Sequence, residues 1–116
     1  MIRCMILDDE PLALDVLEHH LSQLSEIEVV ARETNPVKAL DRLRERDIDL
    51  LLADIEMPGL TGLELVETLR GGPPVIFTTA HRDYALEGFD LDAVDYLVKP
   101  ISFPRLNTMK WRSVSS

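Results

Sequence analysis

The chain has 116 residues, 46% of them hydrophobic, and a net charge of −9 from 21 acidic and 12 basic side chains. That length allows one domain with a real core, and apolar runs alternating with charged segments exclude a disordered chain. The acidic balance repels phosphate backbones, so this segment by itself is expected to bind no nucleic acid.

The opening "MIRCMILDDEP" lacks the long apolar core and cleavage site of a signal peptide. No stretch reaches the roughly 20 apolar residues of a membrane helix, so a cytoplasmic protein without membrane contact is expected. "IRCMIL" (Ile2–Leu7) predicts a buried strand. Cys4 has no partner for a disulfide and reads as a small buried hydrophobe. Over residues 11–24, Leu14, Leu17, Leu21 and Leu24 form a helical stripe, with Pro11 suited to the first turn. His19 and His20 fall on this helix without further ligands nearby, which argues against a metal site there. Residues 27–32 predict an edge or near-edge strand. Asn35 then caps a helix that starts on Pro36 and runs to about Arg46, with Val37, Leu40 and Leu43 inward.

"LLLAD" (Leu50–Asp54) predicts a third strand, and its unbroken apolar character requires helices on both faces. "MPGLTG" breaks the chain, and Thr61 with Glu64 then makes a capping box for a helix to about Arg70. "GGPP" ends that helix and leads into "VIFTT" (Val75–Thr79), the fourth strand. A short polar helix over residues 82–88, a fifth strand over 93–98 and a final helix from Phe103 complete the alternation. In the last helix Phe103, Leu106 and Met109 make the stripe, Trp111 has no assigned packing, and residues 113–116 read as a disordered tail. Five short strands alternating with helices predict an α/β fold, a doubly wound (βα)5 parallel sheet with helices on both faces.

In such sheets ligands sit beyond the carboxyl ends of the strands, where the strand order reverses. The residues at those ends are Asp8 and Asp9, Asp54, Thr79 and Lys99. Carboxylates gathered in one crevice repel one another, and a hard divalent cation such as magnesium relieves the repulsion. A lysine and a threonine beside them offer a charge and a hydrogen bond to a phosphate. An ionised aspartate can attack phosphorus and form an acyl phosphate, a reaction that needs mainly positioning and charge neutralisation. Taken singly, each residue has an ordinary reading: Asp8 and Asp9 as helix caps, Asp54 as a turn former, Thr79 as a strand residue, Lys99 as a surface charge. The site reading rests on all of them together.

"ILDDEP", "LLLADIEMPGLTGLEL", "PVIFTTA" and "DYLVKP", in that order, resemble the receiver domains of two-component response regulators from Ile2 to about Leu106. "FDLDAVDYLVKPISFPRL" looks most like receivers of the LytR/AlgR type, whose output is a LytTR DNA-binding domain. The resemblance implies a flavodoxin-like fold of strand order 2-1-3-4-5, with residues 1–112 as the receiver and the output domain outside this chain. It implies Asp54 as the phosphoacceptor, and Mg2+ or Mn2+ held by Asp8, Asp9, Asp54 and the backbone carbonyl of Glu56. Thr79 and Lys99 would hold the phosphoryl oxygens, and Tyr96 would turn inward when Thr79 is drawn to them. The Lys99–Pro100 peptide would be cis. Glu56 and His81, two residues after Asp54 and Thr79, occupy positions that tune aspartyl-phosphate lifetime; for His81 a solvated loop histidine is the plainer alternative, and for Tyr96 simple packing is. The implied partners are a sensor histidine kinase as donor and a second copy of the chain. The dimer would use the face of the fourth helix, fifth strand and fifth helix.

Other readings stay open at this stage: a stand-alone receiver acting by protein contacts, a degenerate unphosphorylated module, and a magnesium-dependent phosphohydrolase with an aspartate nucleophile. The hydrolase expects a D-x-D signature and a cap domain, and here Asp8 and Asp9 are adjacent and "DIEMP" has Glu at that spacing. A flavodoxin-like FMN binder expects a Ser/Thr/Gly-rich phosphate loop where this chain has "DDEP".

Overall fold

The computed structural model describes residues 1–45, 48–69, 71–80 and 94–109. Five parallel strands form the main sheet: β1 (Ile2–Leu7), β2 (Ile27–Glu33), β3 (Leu50–Asp54), β6 (Val75–Thr79) and β7 (Asp95–Val98). Their spatial order is β2-β1-β3-β6-β7, with every neighbouring pair parallel. Counting only these strands, this is the expected flavodoxin-like order, with β2 at one edge and the reversal between β1 and β3. The helices are α1 (Pro11–Leu21), α2 (Pro36–Glu45), α3 (Gly62–Thr68) and α4 (Phe103–Asn107). The predicted helix at 82–88, His81, Ala93, Trp111 and the tail lie outside the described residues.

Two apolar clusters cover the two faces of the sheet. One joins Ile6, Leu50, Leu52, Ile76 and Leu97 to the stripe of α1 and to Leu106 of α4. The other joins Met5, Leu51, Ala53 and Phe77 to Ala39 of α2 and Leu65 of α3. All five residues of β3 are buried, because alternate side chains enter opposite clusters and neither face meets water. Cys4 is fully buried in the first cluster, and that burial pushes its thiol up to about 12.

Besides element ends that shift by a residue or two, as where the fifth strand starts at Asp95, three local outcomes depart from the sequence reading. The first helix ends at Leu21, three residues early, where bonds from Gln23 to His20 and from Leu24 to Leu21 tighten the chain into a turn. Leu24 is still buried, so the stripe outlasts the helix. On α2, Asn35 Oδ1 accepts from the Val37 and Lys38 amides at 2.8 and 3.2 Å, as a cap should, but Val37 is 66% exposed. One turn on from Val37 is Asp41, which is exposed and pairs with Arg44; the inward face is instead Ala39, Leu40 and Leu43. Finally, "MPGLTG" holds an antiparallel ladder between β4 (Glu56–Met57) and β5 (Leu60–Thr61). Pro58 and Gly59 turn it, and Gly59 takes φ +85°, a value that favours glycine.

The packing predicts where the chain tolerates change. Leu52→Ala, at the centre of β3, is expected to lower the unfolding free energy by about 3 kcal/mol. Val37→Ala should change it by less than about 0.5 kcal/mol. Urea titrations of the two variants against the unaltered chain check both values.

Candidate functional site

The parallel register brings the ends of β1 and β3 side by side. Leu7 pairs with Ala53, so the next residues, Asp8 and Asp54, emerge as neighbours at the carboxyl rim. Asp8 is wholly buried and Asp54 is 7% exposed, whereas Asp9 is an exposed residue. One carboxylate oxygen from each of the three lies within 4.8 Å of the others. β7 supplies the cation: just past it, Lys99 Nζ lies 2.7 Å from Asp8 Oδ2 and 3.1 Å from Asp54 Oδ2. The Lys99 amide donates to the Thr79 carbonyl at 2.7 Å, which fixes the root of the lysine against the end of β6. The Lys99–Pro100 peptide is cis.

The remaining carboxylate oxygens are held by the loops that leave the strands. Asp8 Oδ1 accepts from the Glu10 amide at 2.9 Å, and Asp54 Oδ1 accepts from the Glu56 amide at 2.9 Å. Each aspartate thus straps its own loop, two residues on, in an Asx-type turn. The lysine meets the two acids differently. Its contact with Asp54 is an aligned hydrogen bond, while its approach to Asp8 Oδ2 is a charge contact at an angle that leaves the oxygen without a hydrogen bond.

Burial raises the Asp54 carboxyl above its ordinary 3.8; the Glu56 amide and the Lys99 ammonium oppose this, and the Asp8 charge adds to it. For Lys99, burial pulls the ammonium down, but the two carboxylates together outweigh it and hold the amine above 10.5. The lysine therefore stays charged throughout the neutral range.

A wholly buried Asp8 whose Oδ2 meets a misaligned ammonium, with three carboxylates converging on one point, fits the oxygen donors a hard divalent cation takes. Asp8, Asp9 and Asp54 could hold such an ion.

Thr79 is fully buried and sits on the strand face of Phe77 and Tyr96. The Tyr96 ring stacks on Phe77, with centroids 5.9 Å apart, and is half-buried against the second cluster. Glu56 is exposed, and it reaches the site through its backbone. Sequence reasoning passed over two features here. Asp8, rather than Asp9, is the acid buried against the lysine. Thr78, directly opposite Asp54 in the β3–β6 ladder, is a second buried threonine. Strand alternation could have found Thr78, since it places residue 78 on the side of Ile76 rather than that of Phe77. Beside the rim, an apolar groove of about 360 Å³ runs from Asp8 and Lys99 along Leu12 and Val16 to Ile101.

This sheet, with its acids and lysine gathered at the strand-order reversal, is of flavodoxin-like architecture. The chain belongs to the response regulator receiver domain family, whose profile matches residues 4–110. It is 41% identical over 108 residues to the transcriptional regulatory protein BtsR of Escherichia coli K12, covering 91% of this chain and 45% of that protein. It is 38% identical over 109 residues to the transcriptional regulatory protein NatR of Bacillus subtilis 168, covering 91% and 47%. The chain thus spans a little under half the length of the curated relatives it matches. Among solved structures, the response regulatory domain of mrkE from Klebsiella pneumoniae is 29% identical with a TM-score of 0.82, covering 96% of this chain and 93% of that one. The response regulator domain of Thermotoga maritima CheB is 26% identical with a TM-score of 0.81, covering 98% and 96%. No helix among the described residues is long and apolar enough to cross a membrane.

The raised Asp54 carboxyl has a consequence for stability. Its ionised form is disfavoured by folding, so the group's contribution is most favourable below 3.8 and is lost as pH rises through the raised folded value. In metal-free neutral buffer, Asp54→Asn keeps the acceptor for the Glu56 amide and removes the buried charge. It is expected to raise the melting temperature by roughly 3–6 °C. The gain should vanish below pH 3.8, which thermal scans across pH will check.

Proposed function

We infer that this receiver domain accepts a phosphoryl group on Asp54 from the phosphohistidine of a sensor histidine kinase, with Mg2+ or Mn2+ as cofactor. The observation that carries this is the Lys99 ammonium shared between Asp8 Oδ2 and Asp54 Oδ2 at one sheet rim. In the transfer an Asp54 carboxylate oxygen bonds to phosphorus, and the phosphorus–nitrogen bond breaks. The electron pair leaves on the imidazole, and an acyl phosphate forms.

Asp8, Asp9, Asp54 and the Glu56 carbonyl would hold the metal, which supplies charge neutralisation for the phosphoryl oxygens. The Glu56 amide keeps the Asp54 carboxylate from swinging, and Lys99 is poised to turn from the acids to the incoming oxygens. The groove along Leu12 and Val16, 77% and 47% exposed, offers the donor protein an apolar footing beside Asp54.

The new charge at Asp54, about −1.5 to −2 before neutralisation, would draw Thr79 toward it and free space for Tyr96 above Phe77. The responding face would include β7 and α4 and serve dimerisation. Glu56 and His81 would tune how long the acyl phosphate lasts. The receiver would occupy residues 1–112 of a cytoplasmic regulator. Its relatives named as transcriptional regulatory proteins support a transcriptional output, here read as a LytTR domain in a longer protein. On this reading the domain is a switch whose only chemistry is on itself, not an enzyme with turnover.

Incubation with acetyl phosphate and Mg2+ should add one phosphoryl group by intact mass, and Asp54→Asn should abolish the gain. Lys99→Ala should slow it on the order of 100-fold. Steady turnover of a generic phosphatase substrate would instead favour a hydrolase. Saturating Mg2+ should also raise the melting temperature by mass action. Protons compete with the metal for Asp54, so this rise should fade on acidification at a pH above that of an unperturbed aspartate, the direction set by its raised carboxyl.

A further inference from the structure

Thr78 occupies a position for which stability alone gives no reason to choose threonine. It lies opposite Asp54 in the β3–β6 ladder and opposite Leu97 in the β6–β7 ladder. Side chains of laterally paired strand residues leave the sheet on the same face, about 4.8 Å apart. The packing identifies that face, because Ile76, Leu52 and Leu97 share one cluster while Phe77 and Ala53 share the other. Asp8, Asp54 and Thr78 therefore form a row across β1, β3 and β6, with Asp54 in the middle.

Thr78 is 0% exposed, and its Oγ1 makes no hydrogen bond among the described residues. Other threonines return the hydroxyl to their own helix: Thr68 donates to the Glu64 carbonyl at 2.7 Å, and Thr108 to the Arg105 carbonyl at 2.9 Å. A buried hydroxyl left unmatched is destabilising, and valine would fill the same space without it. Asp8 Oδ2, which meets the Lys99 ammonium at 2.7 Å, and Thr78 Oγ1, which meets no hydrogen-bond partner among the described residues, flank the proposed phosphoacceptor on either side.

We propose that Thr78 is a positioning residue for Asp54, its hydroxyl donating to Asp54 Oδ2 when Lys99 turns from that oxygen to the incoming phosphoryl group. The inference rests on the receiver chemistry proposed above. In the resting site Asp54 Oδ2 accepts from a lysine that it shares with Asp8. Once the ammonium is engaged elsewhere, rotation of the Thr78 side chain about its Cα–Cβ bond or a shift of the freed carboxylate closes the pair, and the hydroxyl keeps the carboxylate in line.

The test compares Thr78→Val and Thr78→Ser with the unaltered chain, using acetyl phosphate with Mg2+. Thr78→Val should slow phosphoryl gain at saturating donor about tenfold, and Thr78→Ser should restore it to within about twofold. The valine variant should also melt higher in metal-free buffer, and the Mg2+ concentration that half-saturates the melting shift should stay unchanged in both. A valine variant as fast as the unaltered chain overturns the proposal, as does a serine variant equally slow. A second arm is independent of transfer. In Lys99→Ala protein, the 13C resonance of the Asp54 carboxyl should move when Thr78 is also changed to Val and return when it is Ser. No movement there overturns the inference, whereas failure of the unaltered chain to gain a phosphoryl group overturns the receiver chemistry instead.

Discussion

One ammonium group shared by two buried carboxylates is the constraint on which this structure turns. Asp8 and Asp54 emerge side by side because β1 and β3 are adjacent and parallel, and both are shielded from water. Two like charges in that setting repel strongly, since the low local dielectric magnifies the interaction. Lys99 answers both from the end of β7, two strands away from β3. Its position is fixed by the hydrogen bond its backbone N–H donates to the Thr79 carbonyl, and from α4, where Arg105 donates to Asp95 and the Tyr96 carbonyl. The sheet order therefore matters chemically as well as topologically. A different strand order would strand the acids without their cation.

Among the described residues, the same arrangement leaves the charge unbalanced. One lysine faces three carboxylates within 4.8 Å of one another, its contact with Asp8 is poorly aligned, and Asp54 is still pushed toward its neutral form. A site built for stability alone would bury one fewer acid. The cost is tolerable because the strands beneath are packed on both faces by continuous apolar clusters, so that the strained rim sits on a rigid base. Under-compensated buried charge makes such a site electrostatically sensitive to any further charge placed beside it.

How much of this could be read from the string differs from one element to the next. Ile2–Leu7, Leu50–Asp54 and Val75–Thr79 were legible to the residue, because strands buried on both faces are unbroken apolar runs bounded by polar or turn residues. The convergence of Asp8, Asp9, Asp54 and Lys99 followed from the alternation of strands and helices, since a doubly wound sheet puts all strand ends at one rim. The end of α1 was not legible, because Leu24 continues the apolar stripe although the backbone has already turned. Val37 misled for a related reason. Its apolar character suggested burial, but its place one turn before Asp41 puts it on the charged face of α2. The β4–β5 ladder has two residues per strand, too few for any period to register, and only Pro58 and Gly59 betray the turn.

The inequality between Asp8 and Asp9 shows where composition stops and geometry begins. Adjacent residues just past a strand start out on opposite sides, so Asp8 is wholly buried while Asp9 is exposed, although one of its carboxylate oxygens still lies within 4.8 Å of the other two acids. Parity decides which is buried: Ile6 belongs to the cluster beneath α1, and Asp8, two residues on, continues that side. The same parity sends Thr78 to the side of Asp54 and Thr79 to the side of Tyr96. A pair of acids and a pair of threonines, each redundant as a string, are thereby unequally placed: Asp8 and Thr78 lie buried on one side, Asp9 is exposed, and Thr79 lies on the other face. The first member of each pair borders the charged crevice on the α1 side, and Thr79 borders the aromatic stack of Phe77 and Tyr96. The charged crevice and the aromatic packing thus occupy opposite faces of β6 at one strand end, a single residue of the chain apart.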